Sequence, residues 1–180
     1  NTPNLESLTA VLEAAEERNL PVVIMHAQVH EEMGLAKLDE IGEIMLLLAD
    51  KASVPVCVHL DHGVDLAYVK RGLDMGFTSV MYDGSELSYD ENCANTSIIV
   101  ELAAQTNASV EAEIGTLGSR EGGEASMSVY TEPDAAKRFV EETGIDALAC
   151  AFGTVHGIYL KKPKLDFDRL AKIHEIVDVP

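Results

Sequence analysis

Short apolar runs recur along the chain, each closed by glycine or polar residues and each followed by a stretch with helical spacing. The runs are PVVIMHA (21–27), VPVCVHL (54–60), FTSVMY (77–82), SVEAEIG (109–115) and ALACAFG (147–153). Runs of this length read as buried strands. Between them, Leu5, Leu8, Leu12 and Ala15 share one helical face, with Asn4 placed as its N-cap. Leu35, Leu38, Ile41, Met45 and Leu48 form a second stripe; Ile98, Ile99, Leu102 and Ala103 a third; Phe167, Leu170, Ile173 and Val177 a fourth. Strand then helix, repeated, is the βα signature of a parallel sheet. The repeat is structural, with no sequence-level period behind it.

Two parallel architectures compete, the open doubly wound sheet and the closed (β/α)8 barrel. No G-x-G-x-x-G and no P-loop follows a strand, so the nucleotide-binding alternative has no positive support. The expected fold class is therefore α/β, a (β/α)8 TIM barrel. Eight strands are needed and five are visible. The chain opens on a helix and ends at VDVP, where a βα chain would enter its next strand. Residues 1–180 are thus expected to form a single partial barrel domain, about strands 2 to 6 with their helices, incomplete at both ends.

Composition narrows the classes of function. With 47% apolar residues and a mean hydropathy of +0.05, the chain is not disordered. Thirteen Lys and Arg against 31 Asp and Glu give a formal charge of −18, which argues against a nucleic-acid surface. The longest apolar run, IMLLLA at 44–49, falls far short of the roughly 18–20 residues of a membrane span. The first residues do not have the basic-then-apolar form of a signal peptide, and none is expected. Cys57, Cys93 and Cys150 show no paired spacing and are expected to be reduced and structural, in a cytoplasmic protein.

In barrels, reactive groups sit at the C-terminal ends of strands. Here the second visible strand ends in Asp61 and His62. The third ends in Asp83, the fourth carries Glu111 and Glu113, and the fifth leads through GTVHG to His156. A lone strand-end histidine is usually an ordinary loop residue, but four successive strands delivering carboxylate or imidazole to one rim point to a site. Two imidazoles from different strands suit zinc, which in catalytic sites takes three protein ligands and keeps one position open. His62 and His156 supply two; the third comes from Glu113, from Asp83, or from a segment absent from this chain. Asp61 directly precedes His62, so in a regular strand it points to the other side, off the metal and placed for proton transfer.

Gly153 and Gly157 flank His156 and would let backbone approach a ligand. The stretch GTLGSREGGEAS (115–126) is too long for a tight turn and reads equally as a surface loop or an active-site lid. His26 and His30 read as loop histidines on the rim, and His174 as solvent-facing. His59 either orients Asp61 or only packs. Tyr159, Lys161 and Lys162 read as a charged turn, and the six methionines as core filling.

Taken together, HLDHG, GFTSVMYDGS, DEN, VEAEIGTLGS, TGIDALACAFGTVHGIY and KLDFDRL, in this order over essentially the whole chain, resemble the class II, metal-dependent ketose-bisphosphate aldolases. The resemblance implies reversible cleavage of fructose or tagatose 1,6-bisphosphate to dihydroxyacetone phosphate and glyceraldehyde 3-phosphate. Zinc is the implied catalytic cofactor, stabilising the enediolate, and some members hold a second divalent or a monovalent cation. By the same resemblance His62 and His156 match zinc ligands, and Asp83 and Glu113 match carboxylates of a second or alternative metal position. Asp61 matches the acid/base at the C4 hydroxyl, Glu121 a mobile glutamate acting at C3, and Gly157 a backbone contact to substrate. The implied partners are a phosphosugar and further copies of the chain, as homodimer or homotetramer, with no nucleic acid and no membrane.

Three departures accompany the resemblance. The family's third histidine ligand comes from an HGGSG-like segment that this chain stops before. Ser119 and Gly122 stand where members carry Gly and Asp around Glu121, and residues 25–34 lack the usual serine-containing segment. Two other classes fit the same barrel. One is a metal-dependent hydrolase, which would carry a His-x-His pair on its first strand that is not seen here. The other is a non-catalytic sugar-phosphate-binding member.

Overall fold

In the computed structural model the described residues are 1–115, 130–153 and 162–180. Five parallel strands form one sheet in the order β1-β2-β3-β4-β5: β1 Val22–Ala27, β2 Val56–Gly63, β3 Ser79–Asp83, β4 Ser109–Glu113 and β5 Ala147–Ala149. The helices are α1 Leu5–Arg18, α2 Gln28–Glu32, α3 Leu38–Lys51, α4 Leu66–Met75, α5 Tyr89–Ala104, α6 Pro133–Thr143 and α7 Phe167–Ile176. Strand order follows chain order, as in successive βα units. Among the described residues no helix is long and apolar enough to cross a membrane.

The chain divides into two compact units. The first comprises Asn1–Tyr82 and Ile99–Val110. Here α1 starts where the Asn4 side chain accepts the Ser7 N–H at 2.9 Å and ends at Asn19 in left-handed conformation. Its Leu8, Leu12 and Ala15 are buried, as the stripe predicts. On α3 the buried residues are Leu38, Ile41, Gly42 and Met45, whereas Leu35 precedes the helix and is exposed. The α4 helix packs Tyr68, Val69, Gly72 and Leu73 inward, and Gly72 lets the Leu60 side chain of β2 lie against the helix backbone. That stripe escapes a reading by apolar periodicity because tyrosine and glycine occupy half of it. Phe77, Val80 and Met81 complete a core in which Ile24, Val58 and Leu60 are also buried.

The second unit comprises Asp83–Ile98 and Glu111–Pro180. Its α6 starts on Pro133 and buries Ala135, Ala136, Phe139 and Thr143, again a stripe of small residues with a single large one. Ala136 clusters with Ile173 and Val177, and Val140, Leu148 and Cys150 pack against them. Phe167 lies exposed at the start of α7 instead of joining its predicted stripe. Tyr89 and Arg138 clamp α5 to α6: Arg138 Nε donates to the Tyr89 hydroxyl at 3.0 Å, and that hydroxyl donates to Glu142 at 2.9 Å. After β5 the backbone is latched by Thr131 N–H donating to the Ala151 carbonyl at 2.7 Å and Asp166 N–H to the Phe152 carbonyl at 2.8 Å.

One glycine of the first unit is fixed by its neighbours. A Cβ on Gly63 would strike Val69 Cγ2 and lie 3.0 Å from Leu60 Cδ2 and 3.2 Å from the Met81 carbonyl oxygen. Val69 and Leu60 are fully buried, so neither yields cheaply. Gly63→Ala is expected to destabilise the protein by about 1–3 kcal/mol, the scale of an overpacked core. Urea unfolding of wild type and variant checks this, and an unchanged midpoint would contradict the packing described.

Candidate active site

The end of β2 is not a regular strand. Leu60 pairs with Val80 and Gly63 with Tyr82, so β2 uses three steps where β3 uses two. The extra residue makes a bulge at Asp61 and His62, and His62 has φ +45°, a left-handed conformation uncommon outside glycine. The strict alternation assumed for a regular strand therefore fails here. Asp61 and His62 do not diverge: Asp61 Oδ1 lies 4.0 Å from His62 Nε2, and both side chains are partly exposed. Bulges of this kind re-aim side chains next to active sites. The Asn1 amide donates to Asp61 Oδ2 at 2.9 Å, a partner that no spacing rule in the sequence announces.

The other predicted rim residues are placed as follows. Asp83 ends β3, and its Oδ1 accepts the Ser85 N–H at 3.1 Å. Glu113 ends β4, where the buried Asn92 side chain donates to its carbonyl at 2.9 Å and Thr96 donates to Asn92 Oδ1 at 3.2 Å. Asp83 and Glu113, both of the second unit, each offer a carboxylate oxygen, and these lie within 4.8 Å of each other. Carboxylate oxygens suit zinc and harder divalent ions alike. Glu111 is not part of that pair. Glu121, His156 and Gly157 lie outside the described residues, as does most of the 115–126 stretch.

Gly153 is explained without a ligand. Its φ is +105°, and a Cβ there would strike the Lys164 carbonyl, so the glycine serves the backbone latch after β5. Burial pushes the nearby Cys150 thiol up, with the Glu113 charge adding to the effect.

The remaining histidines of the first unit are more organised than loop residues. His26 lies within β1 and is fully buried, its Nε2 3.1 Å from the Tyr68 hydroxyl. That hydroxyl donates to Glu31 Oε2 at 3.1 Å, and Glu31 also accepts the Leu38 N–H at 2.8 Å. Burial, then Glu31, push the Tyr68 phenol up, so the hydroxyl keeps its proton. His30 sits in α2, and its Nδ1 accepts the Ala27 N–H at 3.1 Å. His59 Nδ1 lies 2.8 Å from the Ser79 hydroxyl. Burial lowers the pKa of all three, most for His26, which falls to about 4 with the neighbouring His30 as second cause; Asp61 opposes the shift at His30 and His59. His174 is exposed, as expected.

A sheet of successive βα units with imidazole or carboxylate at its strand ends is the layout in which barrel enzymes carry their sites. The profile of the family "Fructose-bisphosphate aldolase class-II" matches residues 1–180, and the chain belongs to that family. Among solved structures, it is similar to the YdjI aldolase of Escherichia coli K12, at 34% identity and TM-score 0.85 over 98% of this chain and 62% of that one. A candidate fructose-1,6-bisphosphate aldolase of Coccidioides immitis is 33% identical, TM-score 0.80, over 98% of this chain and 64% of that one. The fructose-bisphosphate aldolase of Campylobacter jejuni is 26% identical, TM-score 0.74, over 96% and 57%. The chain thus spans less than two thirds of the length of these relatives, and its sheet corresponds to part of a TIM barrel.

The neutral state of buried His26 has a measurable consequence. Its folded pKa of about 4 lies below the unfolded value near 6.5, so the unfolded chain binds the proton first. Stability is fully present above pH 6.5 and is lost as pH falls towards 4, with a slope of up to about 1.4 kcal/mol per pH unit. His26→Gln is expected to remove that increment. Urea unfolding of both proteins between pH 4.5 and 7 checks it, and identical pH slopes would contradict the assignment.

Proposed function

We propose that the protein carrying this chain is a metal-dependent aldolase that reversibly cleaves a ketose 1,6-bisphosphate, fructose or tagatose, to dihydroxyacetone phosphate and glyceraldehyde 3-phosphate. The observation that carries this reading is the bulge at the end of β2, which holds Asp61 Oδ1 4.0 Å from His62 Nε2, with the strand-end carboxylates of Asp83 and Glu113 within 4.8 Å of each other in the second unit. Family membership supports the reaction class. In this reading His62 and His156 are metal ligands, with Asp83 and Glu113 as first or alternative carboxylate ligands. A divalent ion held there, zinc in this reading, supplies Lewis-acid stabilisation of the negative charge left when the C3–C4 bond breaks.

The chain's own residues do the rest. Asp61, aimed by the bulge and steadied by Asn1, takes the C4 hydroxyl proton as the oxygen becomes the aldehyde carbonyl; in condensation it returns that proton. Gly157 offers its backbone to the substrate and Glu121 handles the proton at C3. The reading extends to a cytoplasmic homodimer or homotetramer.

The test is dihydroxyacetone phosphate release by the full-length protein from both sugars, with chelator and after zinc is restored. Chelator-sensitive release recovered by zinc is the expected result; none from either sugar with metal bound would overturn the proposal. Asp61→Ala is expected to keep the metal and lose turnover by roughly 10²–10⁴-fold, the usual weight of a positioned acid/base. His62→Ala is expected instead to lose metal, measured as ions bound per chain.

A further inference from the structure

The end of β1 holds two imidazoles whose proton positions are fixed by their partners. The Tyr68 hydroxyl gives its proton to Glu31, so towards His26 it accepts, and His26 carries its proton on Nε2. At His30 the Ala27 N–H donates to Nδ1. A nitrogen that accepts carries no proton, so the neutral His30 ring presents Nε2–H. The two rings meet edge-on at 5.4 Å and 67°, with the buried His26 forming a wall behind His30.

His30 also stands beside Asp61. Ala27, to which its ring is tied, is the register neighbour of Asp61 across the β1–β2 pair. Parallel strands lie about 4.8 Å apart. The charge of Asp61 acts on His30, opposing the larger effect of burial. Among the described residues, however, the His30 side chain makes its one hydrogen bond to Ala27, and its Nε2–H has no protein acceptor. A neutral N–H donor and a carboxylate acceptor are therefore neighbours at the end of β1 and β2 without bonding each other.

A hydroxyl group fits such a pair, because it gives one hydrogen bond and accepts another. We propose that His30 Nε2–H and the Asp61 carboxylate together receive one hydroxyl of the sugar phosphate, the one whose proton Asp61 removes. This assignment rests on the aldolase reading above. In cleavage the O–H proton goes to Asp61 and the O–H electron pair becomes the new C=O bond. The C3–C4 pair leaves with the ketone-bearing fragment. The His30 proton stays on its nitrogen throughout, donating to the oxygen while negative charge builds there. A sugar whose C4 hydroxyl points elsewhere loses this donor, so His30 also selects among substrates.

Two substitutions separate this role from that of a turn-forming residue. His30→Asn keeps an acceptor for the Ala27 N–H but removes the ring N–H; His30→Gln extends an amide nitrogen towards the Nε2 position. In the full-length protein His30→Asn is expected to lower kcat for cleavage about 10²-fold, the scale of one lost oxyanion donor. Metal per chain should be unchanged. Exchange of the dihydroxyacetone phosphate C–H proton with solvent, a half-reaction that never engages this hydroxyl, should also persist. His30→Gln should recover much of the lost cleavage. An active wild type with a fully active His30→Asn overturns the assignment alone, as does loss of exchange in step with cleavage. A metal-loaded wild type that cleaves neither sugar overturns the aldolase reading and this assignment with it.

Discussion

The site depends on one mismatch in the sheet. Between Leu60 and Gly63 the β2 backbone takes one residue more than β3. Left-handed backbone costs a non-glycine residue roughly 1–2 kcal/mol, and it persists at His62 because both flanks are pinned. Leu60 is fully buried against Gly72, and Gly63 has no room for even a methyl group. The strain has a chemical return. A regular strand would send Asp61 and His62 to opposite faces, whereas the bulge keeps the carboxylate 4.0 Å from the imidazole. In the proposed reading, a proton carrier and a ligand then serve the same substrate from adjacent positions in the chain.

Burial supplies the second constraint, on charge. The chain is strongly acidic, which would ordinarily favour protonated histidines. Yet His26, His30 and His59 have lowered pKa values, with desolvation the largest cause at each. His30 and His59, on which the Asp61 charge acts, are thereby kept neutral, with His26 buried beside His30. The distinction matters chemically. A cation beside Asp61 would hold its carboxylate as a poor base and would repel a metal ion at His62.

Much of the fold was legible because the strands are short apolar runs, and each of the five runs overlaps an observed strand. Helices with Leu, Ile or Met stripes, α1 and α3, were legible for the same reason. Those missed bury the wrong kinds of residue for a periodicity rule: Tyr68 and Gly72 in α4, and Ala135, Ala136 and Thr143 in α6. In α2 no residue is buried at all. The strand-end positions of Asp61, His62, Asp83 and Glu113 were legible because each closes an apolar run. What the sequence hid was relational. The bulge exists only in the register between two strands, and His26 and His30 became meaningful only through Tyr68, Glu31 and Ala27.

The two strand-end carboxylates are restrained in different ways, Asp83 through its side chain and Glu113 through its backbone. Asp83 closes a short turn onto the Ser85 N–H, and Glu113 is fixed through its carbonyl by Asn92, which Thr96 fixes in turn. Asn92 and Thr96 are buried, so these bonds operate away from competing water and are costly to break. Restraint on the Glu113 backbone fixes where its side chain leaves the strand without using that side chain. A buried amide on α5, far in sequence from β4, thereby helps to set the end of that strand.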